Sequence, residues 1–73
     1  MAELFSPLTG KIQEVNMKVG QMVTEGDQVM VIEATKEADK KESTVYGENG
    51  VVKEIFVNVG DSVSENEVLA IIE

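Results

Sequence analysis

Three lysines stand close together near the middle of the sequence. Lys36, Lys40 and Lys41 lie within eleven residues, 32–42, in a chain that has six lysines and no arginine. A lysine amine can act as a nucleophile, so an exposed lysine can accept a covalently attached group. Alternatively, these lysines balance the acids between Glu33 and Glu42 on a solvated loop and carry no modification.

The composition excludes several other kinds of chemistry. The chain has no histidine and no cysteine, which removes the usual general base, thiolate ligands and disulfides. Its net charge is −8 and it has no tryptophan, so it lacks the cations and aromatic platforms that bind nucleic acid. We therefore predict no catalytic residue, no metal site and no nucleic-acid partner, and an acidic surface that suits basic partner proteins or plain solubility.

The length of 73 residues predicts a single domain, 1–73, most simply a monomer and a small separate subunit. No apolar run approaches the ~18 residues of a membrane span, so no membrane insertion is expected. The first five residues, "MAELF", lack the basic and apolar regions of a signal peptide. We predict a cytoplasmic location.

The sequence contains two similar halves. "GKIQEVNMKVGQMVTEGDQVMVIE" (10–33) overlays "GVVKEIFVNVGDSVSENEVLAIIE" (50–73) without a gap after a shift of forty residues. Identical residues recur from the first half at Gly10, Glu14, Val19, Gly20, Val23, Glu25, Ile32 and Glu33. Two copies are too few for a solenoid, so they predict one domain with internal two-fold pseudosymmetry.

Each half has the pattern of short β-strands. Runs rich in β-branched residues alternate with turns at Gly20 and Gly60, and Gly26 and Asn66 suit the positive φ of a second turn. This predicts an all-β fold, a flattened barrel or sandwich of two small antiparallel sheets, one mainly from each half. The predicted core is Ile12, Val15, Val19, Val23, Val29, Val31, Ile32, Val52, Ile55, Val59, Val63, Leu69 and Ile71.

The segment between the halves has to reverse the chain. Glu33 ends the first half, and the second half begins with residues 43–46, so residues 34–42 should form a protruding hairpin. The three lysines would then lie at or beside its tip.

Three stretches together resemble the biotinyl/lipoyl attachment domain family over essentially the whole chain. They are "SPLTGKI" (6–12), "VGQMVTEGDQVMVIEATK" (19–36) and "NGVVKEIFVNVGDSV" (49–63). The resemblance implies a barrel-sandwich hybrid that performs no catalysis and carries biotin or lipoate on a hairpin lysine as a swinging arm.

The resemblance places the modified lysine in two ways. Counting forward from Gly26 gives Lys36 in "EATKE", where Glu-Ala and Lys match the Glu-Ala-Met-Lys-Met of biotinyl domains. Counting back from Gly50 gives residue 39, beside Lys40 in "EADK", which is similar to the Asp-Lys-Ala of lipoyl domains. The hairpin is three residues longer than is usual in the family. With Lys36 as the attachment residue, the flanking recognition residues would be Glu33, Ala34, Thr35 and Glu37.

Three functions follow from this resemblance. The first is a biotin carboxyl carrier, loaded by a biotin protein ligase, that serves a biotin carboxylase and a carboxyltransferase or decarboxylase. The second is a lipoyl carrier of a 2-oxoacid dehydrogenase-type complex, loaded by a lipoate ligase. The third is an unmodified adaptor with the same fold. "SPLTG" and "EATK" favour biotin.

Overall fold

The computed structural model describes residues 1–36 and 38–73, in which all regular structure is β. The strands are β1 (Ala2–Phe5), β2 (Gly10–Val15), β3 (Met22–Val23), β4 (Gln28–Ala34), β5 (Glu42–Tyr46), β6 (Gly50–Ile55), β7 (Ser62–Val63) and β8 (Val68–Ile72). The prediction of an all-β fold is confirmed. Within the described residues no helix is long and apolar enough to cross a membrane.

The strands form two four-stranded antiparallel sheets. One sheet has the order β1-β8-β6-β3, and the other has the order β5-β4-β2-β7. Each sheet comes mainly from one half of the sequence, as predicted. The two-residue strands β3 and β7 are exchanged, because β3 pairs with β6 and β7 pairs with β2. This exchange joins the two halves into one body.

The two-fold relation extends to the outer strands β1 and β5. Leu4 of β1 pairs with Ala70, and Val45 of β5 pairs with Met30, forty residues before Ala70. Leu4 and Val45 are therefore equivalent, although they are 41 residues apart rather than forty. This one-residue change of register hides β1 from a repeat search at a fixed spacing.

The predicted turn chemistry is confirmed at all four positions. Gly20 and Gly60 have φ of 91° and 95°, and Gly26 has φ of 93°. Asn66, which replaces glycine at the equivalent position of the second half, has φ of 70°. Asparagine tolerates the left-handed region better than other non-glycine residues, so the second turn keeps its shape.

The core lies between the two sheets. Its predicted members Ile12, Val23, Val29, Ile32, Val52, Val63 and Leu69 are buried. Of the other predicted members, Val15, Val31, Ile55 and Ile71 are half-buried. Buried residues that sequence reasoning left out are Leu4, Met17, Met30, Ala34, Val45, Val57, Ala70 and Ile72.

The prediction that Val19 and Val59 belong to the core is wrong. Their exposed fractions are 62% and 63%, because each stands in a turn directly before a glycine with positive φ. The apolar residue two positions earlier is buried instead, Met17 in the first half and Val57 in the second.

Two substitutions of the same type test this correction. Val23→Ala, at a side chain that is 2% exposed, should lower the free energy of unfolding by about 1.5–3 kcal/mol, because methyl groups are lost from a packed core. Val19→Ala, at a side chain that is 62% exposed, should change it by less than about 0.5 kcal/mol. Urea unfolding followed by circular dichroism measures both, and equal losses would contradict the burial pattern.

Candidate functional site: the lysine hairpin

The lysines lie on the hairpin formed by β4 and β5. These strands pair from Gln28 opposite Tyr46 to Glu33 opposite Glu42, and residues 35–41 connect them. We call residues 35–41 the hairpin loop. At its base the backbone N–H of Ala34 donates a hydrogen bond of 2.7 Å to the carbonyl oxygen of Lys41. The loop therefore starts from a closed, paired base.

The start of β2 braces this base from the side. Gly10 pairs with Ala34, and the backbone N–H of Thr35 donates to the carbonyl oxygen of Thr9 at 3.3 Å. A Cβ atom on Gly10 would overlap the carbonyl oxygen of Glu33, so only glycine admits this close approach. Thr35 is thus held by a backbone hydrogen bond to Thr9, next to the bond between Ala34 and Lys41.

The two candidate lysines lie on either side of the loop, and both are exposed. Lys36 comes directly after Thr35, the last braced residue of β4's side. Lys40 comes before Lys41 and has φ of 49°, in the left-handed region that is uncommon for a lysine. Within the described residues neither lysine forms an ion pair.

The third lysine is held by a weak contact. Lys41 Nζ lies 3.8 Å from a carboxylate oxygen of Asp39, and both side chains are mostly exposed. Ion pairs of this kind contribute little to stability because water and salt screen them. The loop therefore keeps its amines accessible to other molecules.

The flanking residues predicted for recognition differ in their accessibility. Glu33 is half-buried, Thr35 is exposed and Ala34 is buried. Ala34 packs at the hairpin base, so it serves the structure under the loop rather than its surface. The remaining flanking residue, Glu37, lies outside the described residues.

The hairpin loop and the paired strand ends Ala2 and Ile72 lie at opposite ends of the molecule. Near the hairpin base, the backbone N–H of Glu65 donates to Thr9 Oγ1 at 3.2 Å. From that turn β8 runs away from the loop to Ile72, which pairs with Ala2. The molecule measures 36 × 19 × 17 Å. The described residues of the loop therefore form the exposed end of an elongated body.

An exposed lysine beside a hydrogen-bonded hairpin base is suited to carrying a covalently bound group. Its amine can form an amide with a carboxylic acid, and its position lets several proteins reach it. Among residues 1–36 and 38–73, no group of three or more acidic, histidine or cysteine side chains is placed to hold a metal ion.

Residues 2–72 match the family model described as "Biotin-requiring enzyme". The chain belongs to this family. The match covers both sheets and the hairpin, so it applies to the whole fold described above.

Two carboxylases are among the proteins with similar sequences. The chain is 37% identical over 70 residues to the propionyl-CoA carboxylase alpha chain, mitochondrial, of Sus scrofa, covering 96% of this chain and 9% of that protein. It is 33% identical over 72 residues to the methylcrotonoyl-CoA carboxylase subunit alpha, mitochondrial, of Dictyostelium discoideum, covering 99% of this chain and 10% of that protein. The chain thus spans about a tenth of the length of these relatives.

A solved structure confirms the fold. The Kluyveromyces lactis urea carboxylase superposes with a TM-score of 0.83 at 33% identity, over 99% of this chain and 6% of that chain. The chain is therefore a carrier domain of the biotin-requiring family, with biotin as its cofactor. The exposed amines of the hairpin loop fit this cofactor. Attachment of biotin needs an accessible primary amine, and the paired strands at the hairpin base hold the amine away from the two sheets.

Proposed function

We propose that Lys36 is the biotin attachment residue and that residues 1–73 act as one non-catalytic carrier domain for carboxylate. The observation that carries this proposal is the position of Lys36, exposed and directly after Thr35, whose backbone is braced by Thr9. The bracing gives the side chain a defined origin, and the exposure lets it enter separate active sites in turn.

The division of work between chain and cofactor is simple. When attached, biotin supplies the group that accepts and releases carboxylate, and the residues of the chain position it. Ala34 and Gly10 hold the base of the loop, and Lys36 extends from it. Tethering keeps the bound group at high local concentration near its target sites.

The proposed partners are a biotin protein ligase, a biotin carboxylase, and a carboxyltransferase or decarboxylase. The support comes from the carboxylases to which the chain is similar. The acidic surface, with a net charge of −8, would steer the domain toward basic surfaces around their active sites. The monomeric state and the cytoplasmic location stay predictions.

The proposal is tested by loading the domain in vitro. Incubation with biotin, ATP and a biotin protein ligase should add the mass of one biotinyl group, and peptide mapping should place it on Lys36. The matched reaction with lipoate and a lipoate ligase should leave the intact mass unchanged. If the domain instead accepts lipoate, and the Lys40→Arg variant does not, the domain would be assigned to the lipoyl carriers. A folded domain that neither ligase modifies would be an unmodified adaptor.

A further inference from the structure

A groove of about 320 Å³ lies between β1 and β5. In the part of the chain that the structure describes, each of these strands pairs on one side only, β1 with β8 and β5 with β4. Leu4 and Val45 are buried and form the floor of the groove. Phe5 and Tyr46 stand beside them with exposed fractions of 49% and 54%. Two half-exposed aromatic rings therefore stand next to an apolar floor.

The apolar part of the groove follows the two-fold relation of the fold. Leu4 is equivalent to Val45, and Phe5 is equivalent to Tyr46, at the spacing of 41 residues found for β1 and β5. The groove therefore lies at mid-length, where the two halves of the molecule meet. The hairpin loop, at one end of the molecule, is away from it.

The charges of the groove break this symmetry. Glu3 is equivalent to Thr44, and Glu48 is equivalent to Pro7, so only one residue of each pair is charged. β1 starts at the end of the molecule opposite the hairpin loop, and β5 runs toward that end, so Glu3 and Glu48 both lie on that side. Among the described residues that line the groove, none is a lysine. The groove is thus acidic toward one end and neutral toward the other.

We propose that this groove is a docking site for a partner-protein segment that carries one or two apolar side chains next to a lysine or arginine. The volume suits one or two side chains, and aromatic residues at a pocket are frequent anchors of protein interfaces. The carboxylates of Glu3 and Glu48 select a cation at one end of that segment. This docking site goes beyond the carrier function and does not require biotin on Lys36.

Charge decides between such a partner and a second copy of the chain. Two copies facing each other across their grooves would offer no cation to Glu3 and Glu48 of either copy, and each chain has a net charge of −8. Like charges at an interface are unfavourable unless they are paired with cations, and the groove has none to offer. A cationic partner segment satisfies both the apolar floor and the carboxylates.

Selection from a random twelve-residue peptide library, displayed on phage, tests the proposal with the domain as bait, immobilised without the use of biotin. We expect enrichment of peptides with leucine-like or aromatic residues beside lysine or arginine. Phe5→Ser combined with Tyr46→Ser should weaken binding of a selected peptide at least about tenfold. Glu3→Gln combined with Glu48→Gln should weaken it about three- to tenfold and reduce its salt dependence. Val19→Ser combined with Val59→Ser, which removes two exposed side chains elsewhere, is the matched control and should not change binding.

Several results would overturn the docking site. The first is that no peptide is enriched, and the second is that the enriched peptides carry no lysine or arginine. The third is that a selected peptide binds the Phe5→Ser/Tyr46→Ser variant as tightly as the unmodified sequence, with the fold of the variant verified by the dispersion of its amide signals. A dimer in sedimentation that this variant abolishes would assign the groove to a second copy instead. All variants should accept biotin at Lys36 to the same extent, so a failure of biotin attachment would affect the proposed function and leave the groove result standing.

Discussion

Lys36→Arg should remove all detectable biotin from the domain. Arginine keeps the positive charge and much of the length of the side chain, but its guanidinium remains protonated and does not form the amide. Because the substitution is at an exposed position, the fold should be unchanged and the free energy of unfolding should change by less than about 0.5 kcal/mol. Intact-mass spectrometry after incubation with a biotin protein ligase measures the effect, and a carboxylation assay should show a matching loss of carrier activity.

The neighbouring lysines provide the controls. Lys40→Arg and Lys41→Arg are made in the same loop and preserve its charge, and both variants should accept one biotinyl group at a rate within about threefold of the unmodified sequence, because ordinary surface substitutions have small effects. Retention of the adduct in Lys36→Arg together with its loss in Lys40→Arg would move the attachment residue across the loop. Loss in all three variants would show that the ligase needs all three lysines of the loop rather than one.

The second large effect is expected for Gly10→Ala. A methyl group there would overlap the carbonyl oxygen of Glu33 and approach Leu8 Cδ1 to 2.8 Å, so β2 and β4 would have to separate at the hairpin base. We expect a loss of about 2–4 kcal/mol in the free energy of unfolding, a large share of the total for a domain of this size. The strain falls beside Ala34 and Thr35, so ligase-dependent biotin attachment should also slow, by about tenfold or more, in the fraction that remains folded.

The pseudosymmetry offers a matched control for this prediction. Gly50 is equivalent to Gly10, and a Cβ atom there would lie 2.5 Å from the carbonyl oxygen of Glu73, with φ of 149° adding backbone strain. Gly50→Ala should therefore lower stability by a similar amount but leave attachment to Lys36 in the folded fraction unchanged, since it acts at the end away from the loop. Equal effects of both variants on attachment would show that global unfolding, and not the hairpin base, limits the reaction.

Much of the fold follows from the repeat and from turn chemistry. The forty-residue spacing predicted the two sheets, and Gly26 with Asn66 predicted the positive φ at the second turn. The exposure of Val19 and Val59 was missed because a valine in a turn has the same apolar character as one in a strand. β1 was missed because its register differs by one residue from the rest of the repeat.

The sequence predicted the hairpin and its lysines but not the contacts that hold the hairpin base. A hairpin carrying Lys36 and Lys40 follows from the need to reverse the chain between two similar halves. The brace from Thr9 to Thr35 and the close approach at Gly10 depend on contacts across the sheet, for which the sequence shows only an ordinary Thr-Gly pair. The groove between β1 and β5 could not be predicted, since it depends on two edge strands that are 41 residues apart meeting across the pseudo-two-fold axis.

The separation between the hairpin loop and the paired ends Ala2 and Ile72 has a mechanical consequence. A linker joined at either of those residues would be attached at one end of the molecule, whereas the lysine side chain extends from the other end. Most of the 36 Å length of the domain would then add to the distance between the linker and the group attached to the lysine. Shortening such a linker would restrict which active sites the attached group can reach. Rotation of the whole domain about the linker would move the same amine through a wide arc without any change of conformation inside the domain.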